Sequence, residues 1–219
     1  DLTLFDNRLN FTGDIYRRNT KDMLTLGEVL PGVLGANLPK ENSADLKTTG
    51  FDLTVSWRDQ IKLAGKPLEY SLEFNLSDSK SEITKFSNPT GTLNSYYKGQ
   101  KIGEIWGLTS DGLYKSDEEA QKGPDQTEIL IAPSQYPTVA GSLKYKDLNN
   151  DGKITRGKYT LDDHGDLTVI GNDQIRYRFG ATFAANWSGF DISAFFQGVM
   201  KHNYYPTASD KIFWGKYSA

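Results

Sequence analysis

Residues 175–187 read IRYRFGATFAANW, and this stretch decides the class of fold. Its odd positions run from Ile175 to Trp187 and are apolar or small, whereas its even positions begin with Arg176 and Arg178 and are polar or small. Successive side chains of a β-strand point to opposite faces, so the pattern predicts a strand with one apolar face. Such a strand lines either a soluble core or the wall of a membrane barrel whose apolar side faces lipid.

The same alternation recurs in four more segments, which are residues 5–15, 51–58, 70–77 and 190–201. Phe195 and Val199 interrupt the polar face of the last segment. Five segments with one consistent pattern predict an antiparallel sheet. Five strands are too few to close a barrel, for which about eight are needed. We therefore expect either the rest of such a barrel on another segment, or a partner outside this chain on which the sheet packs.

The connections between these segments alternate in length. Residues 16–50 and 81–173 form long links, whereas Gly65-Lys66-Pro67 and Ser188-Gly189 mark short ones. Outer-membrane barrels have long extracellular loops and short periplasmic turns. A structureless link of about 90 residues is implausible, so residues 81–173 are predicted to fold as a separate extracellular lobe. The predicted division is therefore barrel strands with one extracellular loop over 1–80, the lobe over 81–173, and barrel strands with the start of the next extracellular loop over 174–219.

The short turns would lie at the periplasmic end of the barrel. Aromatic residues are enriched where barrel strands cross the edge of the membrane. Four aromatic residues close to these turns are predicted to form such a girdle: Trp57, Tyr70, Trp187 and Phe190. Five charged residues are predicted to face the lumen: Asp52, Glu73, Arg176, Arg178 and Lys201.

The composition excludes several classes of protein. The chain of 219 residues has no cysteine, which excludes disulfides, thiolate zinc sites and cysteine nucleophiles. Its net charge of −3 provides no basic footprint for nucleic acid. Asp1 is followed at once by strand-like sequence without a signal peptide, as expected for a processed product or a fragment.

Several motifs, in this order, resemble the SusC/RagA family of TonB-dependent outer-membrane transporters. They are residues 7–24 (NRLNFTGDIYRRNTKDML), 48–52 (TTGFD), 103–107 (GEIWG), 110–112 (SDG), 143–154 (LKYKDLNNDGKI), 170–172 (IGN), 177–180 (YRFG), 187–191 (WSGFD) and 195–198 (FFQG). The resemblance covers nearly the whole chain. It implies an all-β fold, namely a transmembrane segment from the second half of a plugged antiparallel barrel of about 22 strands.

The resemblance also implies a function for the parent protein. Members import large nutrients, typically glycans and sometimes peptides, across the outer membrane of a Gram-negative bacterium. Their partners are a SusD-type surface lipoprotein, TonB through an N-terminal part absent from this chain, the plug and remaining barrel, and membrane lipid. No enzymatic activity is implied.

Residues 147–153 resemble a calcium-binding loop. Asp147, Asn149 and Asp151 alternate ahead of Gly152, and the backbone carbonyl of Lys153 occupies the seventh position. Calcium takes six to eight oxygen ligands, which this spacing can supply in part. Lys158 stands where an EF-hand has its glutamate, so one later acid would complete the site: Asp162, Asp163 or Asp166. The alternative to a structural Ca²⁺ or Mg²⁺ site is an Asn/Asp-Gly turn.

Aromatic residues of the lobe are candidates for a substrate or partner surface: Tyr96, Tyr97, Trp106 and Tyr114. The alternative is that they form the core of the lobe. His164 and His202 lack metal-ligand spacing, and no nucleophile elbow is present. Two other classes of protein stay open: a secreted calcium-binding β-sandwich such as a carbohydrate-binding module, and a glycan-cleaving enzyme.

Overall fold

The computed structural model describes residues 1–26, 40–130 and 137–206. They form two compact units. The first contains residues 1–22, 45–82 and the described residues from 173 onwards. The second contains residues 83–172 and the described residues between 23 and 44. Its main segment lies close to the predicted lobe limits of 81 and 173, and residues 23–44 fall within the long link predicted over 16–50.

The described residues contain ten strands: β1 (Leu2–Leu4), β2 (Leu9–Leu26), β3 (Lys40–Leu63), β4 (Lys66–Lys85), β5 (Glu104–Leu108), β6 (Ser110–Leu113), β7 (Leu143–Tyr145), β8 (Leu167–Asn172), β9 (Arg176–Trp187) and β10 (Phe190–Lys201). The largest sheet has the order β1-β2-β3-β4-β9-β10. The pairs β1–β2, β4–β9 and β9–β10 are antiparallel. The sheet is open among the described residues, since β1 and β10 lie at its two edges.

Two hairpins have tight turns at one end of this sheet. Ala64 and Gly65 join β3 to β4, with φ angles of 50° and 77°, and Ser188 and Gly189 join β9 to β10, with φ angles of 51° and 86°. Positive φ at both central residues defines a type I′ turn, whose twist matches that of the flanking strands. Both predicted short links are therefore two-residue turns.

The first predicted strand, residues 5–15, is wrong at its start. Phe5, Asp6 and Asn7 have positive φ angles, and the N–H of Arg8 donates to the carbonyl of Phe5 over 3.1 Å. These residues form a turn between β1 and β2, so the strand begins at Leu9. A consecutive run of left-handed residues cannot belong to a pleated strand.

The predicted strands were also too short. β3 has 24 residues and β4 has 20, whereas about 9–11 residues cross a membrane. Beyond the apolar stretch, polar side chains pair across the strands, as in the 2.8 Å contact between the hydroxyls of Thr48 and Ser81. Alternation disappears there while the strands continue. Much of the predicted loop 16–50 is therefore strand, and Pro31, Gly32, Gly35 and Pro39 lie outside the described residues.

The second unit contains two small sheets, β5–β8 and β6–β7, both antiparallel. It also has helix α1 (Asp117–Lys122) and a 3-10 turn (Thr127–Ile129). The hydroxyl of Ser116 accepts a hydrogen bond from the N–H of Glu119 over 3.2 Å and so caps α1. No helix among the described residues has the length and hydropathy needed to cross a membrane.

The buried apolar side chains described by the structure all lie in the second unit. They are Ala44, Ile83, Leu93, Tyr97, Tyr114, Ala120, Ile154 and Leu167. In the first unit, by contrast, no described apolar side chain is buried. A β-sandwich would bury its apolar faces between two sheets. The described part of the first unit is a single layer, which agrees with the predicted antiparallel membrane-barrel segment.

Candidate functional site

An apolar band crosses three neighbouring strands of the first unit. The registers β4–β9 and β9–β10 align five rows: Leu68–Trp187–Phe190, Tyr70–Ala185–Ile192, Leu72–Phe183–Ala194, Phe74–Ala181–Phe196 and Leu76–Phe179–Gly198. Because alternate positions share a face, these fifteen residues lie on one side of the sheet. We call this set the apolar band. It extends the alternation of residues 175–187 across both neighbouring strands.

The apolar band is accessible rather than covered. Phe74 is 41% exposed, Phe183 36% and Ile192 62%. Full burial of such a side chain is worth about 1.5–3 kcal/mol, so leaving this many in water is unfavourable. Contiguous exposed apolar patches mark contacts with membranes or proteins.

Two glycines on the side of the sheet that carries the apolar band are covered by aromatic rings: Gly198 within the band and Gly13 on β2. A Cβ atom placed on Gly198 would lie 2.9 Å from the ring of Phe179, its partner across β9 and β10. On β2, a Cβ atom at Gly13 would lie 3.1 Å from the ring of Phe11 and 3.2 Å from Leu53. These rings fill the space that a glycine leaves and keep the outer surface continuous.

The opposite side of the same strands is polar. The residues that lie between those of the apolar band form rows of their own. These rows include Glu73–Thr182–Phe195, Asn75–Gly180–Gln197 and Ser77–Arg178–Val199. The predicted lumen-facing residues Glu73 and Arg178 therefore lie on the face opposite the apolar band. Asp52 is exposed, between Phe51 and Leu53. We call this side the polar face.

A hollow of about 640 Å³ lies on the polar face near the hairpin turns. Glu69, Asn186 and Asp191 line it from three neighbouring strands. Arg8 and Asp59 form a 3.3 Å ion pair at its edge. The polar face is thus a hydrated, charged surface at this end.

Arg176 departs from the predicted alternation. Its guanidinium forms a two-pronged ion pair with Asp78 and lies 5.2 Å from the ring centre of Tyr177. Tyr177 has a φ angle of 55°, which breaks the regular alternation of β9. Asp78 lies two positions beyond Leu76 of the apolar band, so the lumen prediction for Arg176 is not supported. Lys201 pairs with Arg176 in the β9–β10 register and is exposed.

The four predicted girdle residues occupy three successive rows of the sheet. Trp187 and Phe190 share the row next to the turns, Tyr70 lies in the second row, and Trp57 lies opposite Leu72 in the third, because each is six residues from the two-residue turn. The indole Nε1 of Trp57 donates to the hydroxyl of Tyr70 over 3.4 Å, and Trp187 pairs with Phe190 in register. The Nε1 of Trp187 also donates to the carbonyl of Leu63 over 3.2 Å. Trp187 and Phe190 thus lie at the border of the apolar band next to the turns, and the girdle of four residues stays a prediction.

The height of the band can be estimated from the register. Eight steps separate Leu68 from Leu76, and the row of Asp78 and Tyr177 lies two steps further. At about 3.4 Å per residue and a tilt of about 40°, ten steps span about 26 Å along the barrel axis. Transmembrane barrels have an apolar zone about 25 Å tall.

Two of the predicted surface aromatic residues of the lobe are buried instead. Tyr97 packs with Leu93 and Leu167, and its hydroxyl donates to Glu104 over 2.7 Å while accepting from the Nε1 of Trp106 over 3.2 Å. Burial, followed by the hydrogen bond to Glu104, raises the pKa of Tyr97 to about 12. Trp106 is half-buried against this cluster. Tyr97 and Trp106 therefore contribute to the core of the second unit.

Tyr114 is 2% exposed, so it also belongs to the interior. Its burial raises the pKa of the phenol, and Lys144 lies 5.8 Å from its ring centre. Lys144 forms a 3.0 Å ion pair with Glu119, and hydrogen bonds from Lys115 and Lys144 lower the pKa of Glu119. Tyr96 differs from the other three, since it is 53% exposed and contacts Phe86 edge-on.

The predicted metal loop forms a compact turn that is held by its own backbone. Asp147 accepts hydrogen bonds from the N–H groups of Asn150 over 2.6 Å and Gly152 over 2.8 Å. Asp151 accepts from Lys153 over 2.8 Å, and Asn149 accepts from Asp151 over 3.1 Å. Among the described residues, no three His, Asp or Glu side chains are grouped to hold a metal ion.

Asp166, the last of the three candidate acids, closes this loop. It is fully buried, and its two oxygens accept from the N–H groups of Leu148 over 2.7 Å and Thr155 over 2.8 Å. Asp163 forms a 3.7 Å ion pair with Lys158, and the pKa of Asp162 is lowered by a hydrogen bond from Thr160. Asp166 therefore fixes both ends of the loop through the backbone.

Sequence reasoning missed Asp78, Lys80 and Gln100. Asp78 and Lys80 directly follow the apolar run of β4, a position at which a charged residue marks the edge of an apolar zone. Gln100 is 9% exposed, and its Oε1 accepts from the N–H of Tyr97 over 3.3 Å. No pattern in the sequence distinguishes Gln100 from other loop amides.

No protein-family model matches the chain. Three TonB-dependent receptors of Formosa agariphila are similar to it. Receptor P3 is 26% identical over 212 residues, which are 90% of this chain and 19% of the receptor. Receptor P39 is 23% identical over 90% of this chain and 20% of the receptor, and receptor P26 is 22% identical over 94% and 20%. The chain thus spans about a fifth of the length of these relatives.

Solved structures of a RagAB peptide importer share the fold. Its open-open state matches with a TM-score of 0.58 and 21% identity, over 90% of this chain and 19% of that chain. Its closed-closed state matches with a TM-score of 0.52 and 19% identity, over 90% and 20%. The chain is therefore a relative of TonB-dependent receptors with the fold of part of a RagAB transporter, which confirms the resemblance seen in its sequence.

Proposed function

We propose that this chain is a wall segment of an outer-membrane transporter that imports large nutrients with energy from TonB. The single observation that supports this most strongly is the apolar band, five aligned rows with no covering layer among the described residues. Relationship to TonB-dependent receptors supports the same conclusion.

In this proposal the apolar band faces membrane hydrocarbon, and the polar face surrounds the transport pathway. Trp57, Tyr70, Trp187 and Phe190 form the periplasmic girdle, with the second unit on the extracellular side. The charged hollow near the turns, which includes Glu69 and Asp191, contacts the plug that fills such barrels. The chain contributes wall and loops and no catalytic group.

The substrate class is a glycan or oligosaccharide, with peptides as the second candidate. Tyr96 is the accessible member of the four aromatic residues. It lines a shallow cavity of about 450 Å³ with Asn94, Ser95 and Gln100. Amides, a hydroxyl and an aromatic face without a charged group suit a neutral, hydroxyl-rich ligand. The RagAB structures are of a peptide importer, which is why peptides are retained.

The partner proposed on the extracellular side is a SusD-type surface lipoprotein. RagAB structures contain an importer of two named components, and the resemblance of the sequence implies such a partner. The second unit is the part of this chain that would meet it.

An uptake assay tests the proposal. Cells that express the full-length protein containing this chain receive fluorescent oligosaccharides or fluorescent peptides, with and without functional TonB. The proposal predicts uptake that requires both this protein and TonB, with oligosaccharides entering faster. Uptake that is unchanged when the protein is deleted would contradict the proposed function, and faster peptide entry would reverse the substrate class.

The proposed role of Tyr96 in substrate binding is tested by substitution, with a second exposed tyrosine as the control. Tyr96→Ala is expected to slow oligosaccharide uptake, because the exposed ring is lost while the core stays intact. Tyr205→Ala removes another exposed tyrosine, 54% exposed, from outside the cavity and serves as the matched variant. Equal uptake by the Tyr96 and Tyr205 variants would remove Tyr96 from the substrate pathway.

A further inference from the structure

A second hollow lies on the outer side of the sheet, at the border of the apolar band opposite the turns. Its volume is about 510 Å³. Ile15, Phe51 and Leu53 form its apolar part, and Ile15 is 91% exposed. The same hollow is bordered by Lys80, Arg176 and Tyr177. It therefore combines an apolar floor with a cationic rim.

The side of the sheet on which the hollow lies follows from strand alternation. Leu53 lies 3.2 Å from the Cβ position of Gly13, next to the ring of Phe11, on the outer side of β2 and β3. Lys80 lies four positions beyond Leu76 of the apolar band on β4, so both residues have the same parity. The hollow thus opens on the side that carries the apolar band.

The charge of the rim is positive. Asp78 and Arg176 neutralise each other in their ion pair, with side chains that are 7% and 15% exposed. Lys80 is exposed and has no ion pair among the described residues. The exposed ammonium of Lys80 therefore gives the rim its net positive charge, and such a group suits a phosphate.

The hollow also lies at the level at which a headgroup would be found. The row of Asp78 and Tyr177 is about 26 Å from the girdle row along the barrel axis, close to the thickness of an apolar zone. Tyr177 is an aromatic residue with a polar edge, which is typical of the membrane interface.

We propose that this hollow binds the phosphate headgroup of an anionic membrane lipid, with Lys80 on the phosphate and the first part of an acyl chain on Ile15, Phe51 and Leu53. The inference rests on the proposed function, because it needs the apolar band to lie in a membrane. A free phosphate ion would use the cationic rim alone. The apolar floor, including a side chain as exposed as Ile15, favours a ligand that has both parts.

Lipid retention tests this site in the full-length protein that contains the chain. The protein is reconstituted in nanodiscs of phosphatidylcholine with a minor fraction of phosphatidylglycerol, and native mass spectrometry after detergent transfer gives the ratio of retained lipids. Lys80→Ala is expected to lower phosphatidylglycerol enrichment about fivefold, since one lysine near an anionic membrane is worth about 1 kcal/mol. Lys66→Ala, on the same strand beside the turn, is the matched control and keeps the enrichment.

Two further arms make the outcome decisive. Ile15→Ser, which leaves both cations in place, is also expected to lower phosphatidylglycerol retention, whereas inorganic phosphate does not displace the lipid. Equal phosphatidylglycerol enrichment in the wild type and in the Lys80→Ala and Lys66→Ala variants would overturn the inference. Displacement by phosphate alone would replace it with a simple anion site.

Failure of the proposed function is a separate result. A cysteine label placed at Phe183, outside the hollow, reports contact with lipid independently of Lys80. If that label contacts lipid while Lys80→Ala leaves retention unchanged, only the headgroup site is contradicted. If that label does not contact lipid, the proposed function itself fails.

Discussion

Asp78 and Arg176 are 98 residues apart in the sequence, yet their side chains form a two-pronged ion pair where β4 and β9 separate. The last registered pair of these strands is Ser77 with Arg178. Beyond it, Asp78 also accepts a hydrogen bond from the N–H of Tyr177 over 3.3 Å. The Asp78 carboxylate therefore replaces the next step of the backbone ladder at the point where the pairing of β4 with β9 ends.

Replacing Asp78 with asparagine is expected to destabilise the first unit by about 3 kcal/mol. The substitution leaves the nearly buried Arg176 without its counter-charge, which is the costly way to break such a pair. Urea unfolding of the full-length protein in lipid vesicles, followed by tryptophan fluorescence, measures the change.

The exposed pair of Arg8 and Asp59 is the matched control for this substitution. The side chain of Arg8 is 52% exposed, so Asp59→Asn is expected to cost less than about 1 kcal/mol. Equal losses for Asp78→Asn and Asp59→Asn would show that the Asp78–Arg176 pair has no special role.

Gly198 is expected to tolerate a side chain only when Phe179 is shortened. A Cβ atom at Gly198 would lie 2.9 Å from the Phe179 ring, so Gly198→Ala forces the ring aside. Overpacking of this kind costs about 1–3 kcal/mol. Unfolding midpoints of Gly198→Ala, Phe179→Ala and the double variant measure the coupling between the two positions.

The double variant decides this prediction. If the two residues touch as described, the loss in the double variant is smaller than the sum of the two single losses. Strictly additive losses would contradict the close contact between Gly198 and Phe179.

Tyr97 is expected to make the second unit sensitive to alkaline pH. The fold holds the phenol neutral and raises its pKa from the ordinary 10 to about 12. Its contribution to stability is complete below pH 10 and decreases between pH 10 and 12, because only the unfolded chain releases the proton in that range. Thermal unfolding of the wild type and Tyr97→Phe across this range gives the measurement.

The Tyr97→Phe variant keeps the aromatic ring but has no ionisable group at position 97. Its stability should therefore fall less steeply from pH 10 to 12 than that of the wild type. Parallel curves for the two proteins would mean that Tyr97 is not held in its neutral form by the fold.

Calcium binding by residues 147–153 stays a prediction. Asp147, Asn149 and Asp151 lie in one turn, and an ionised carboxylate has about four acceptor sites, so the backbone contacts do not use all of them. Calcium is expected to raise the unfolding temperature of the wild type, and Asp147→Asn to abolish the rise. Asp111→Asn, an acidic residue of the same unit outside the loop, is the control.

Unfolding in the presence of a chelator shows which outcome would contradict the calcium prediction. Identical unfolding curves in calcium and in excess EDTA, with no heat in a calorimetric titration, would show that the loop is a self-supporting turn. Its hydrogen bonds to Asp147 and Asp166 would then be sufficient to explain its shape.

Alternation in the sequence was enough to predict the apolar band, because every second side chain of a β-strand lies on the same face of the sheet. Phe74, Phe183 and Ile192 lie on one side as expected. The same rule could not predict strand length, since the far ends of β3 and β4 are mostly polar on both faces and carry no alternation. It also failed at Arg176, where a single left-handed residue, Tyr177, interrupts the period.

The candidate site within the second unit was less predictable. Tyr96 and Tyr97 are adjacent in sequence, but one is 53% exposed and the other 8%. Tyr97 packs against Leu93 and Leu167 and hydrogen-bonds to Glu104, and composition does not reveal such contacts. Likewise, Asp166 resembles a metal ligand in the sequence, while its hydrogen bonds go to the backbone of Leu148 and Thr155.

The central claim is that the apolar band faces membrane hydrocarbon, and adjacent positions of β9 test it directly. Single cysteines at Phe183 and Thr182, in the membrane-embedded full-length protein without other reactive cysteines, carry the same fluorophore. We predict strong quenching by a lipid-bound quencher at position 183 and quenching by a water-soluble quencher at position 182. Water-accessible label at 183, or the same quenching at both positions, would contradict the account.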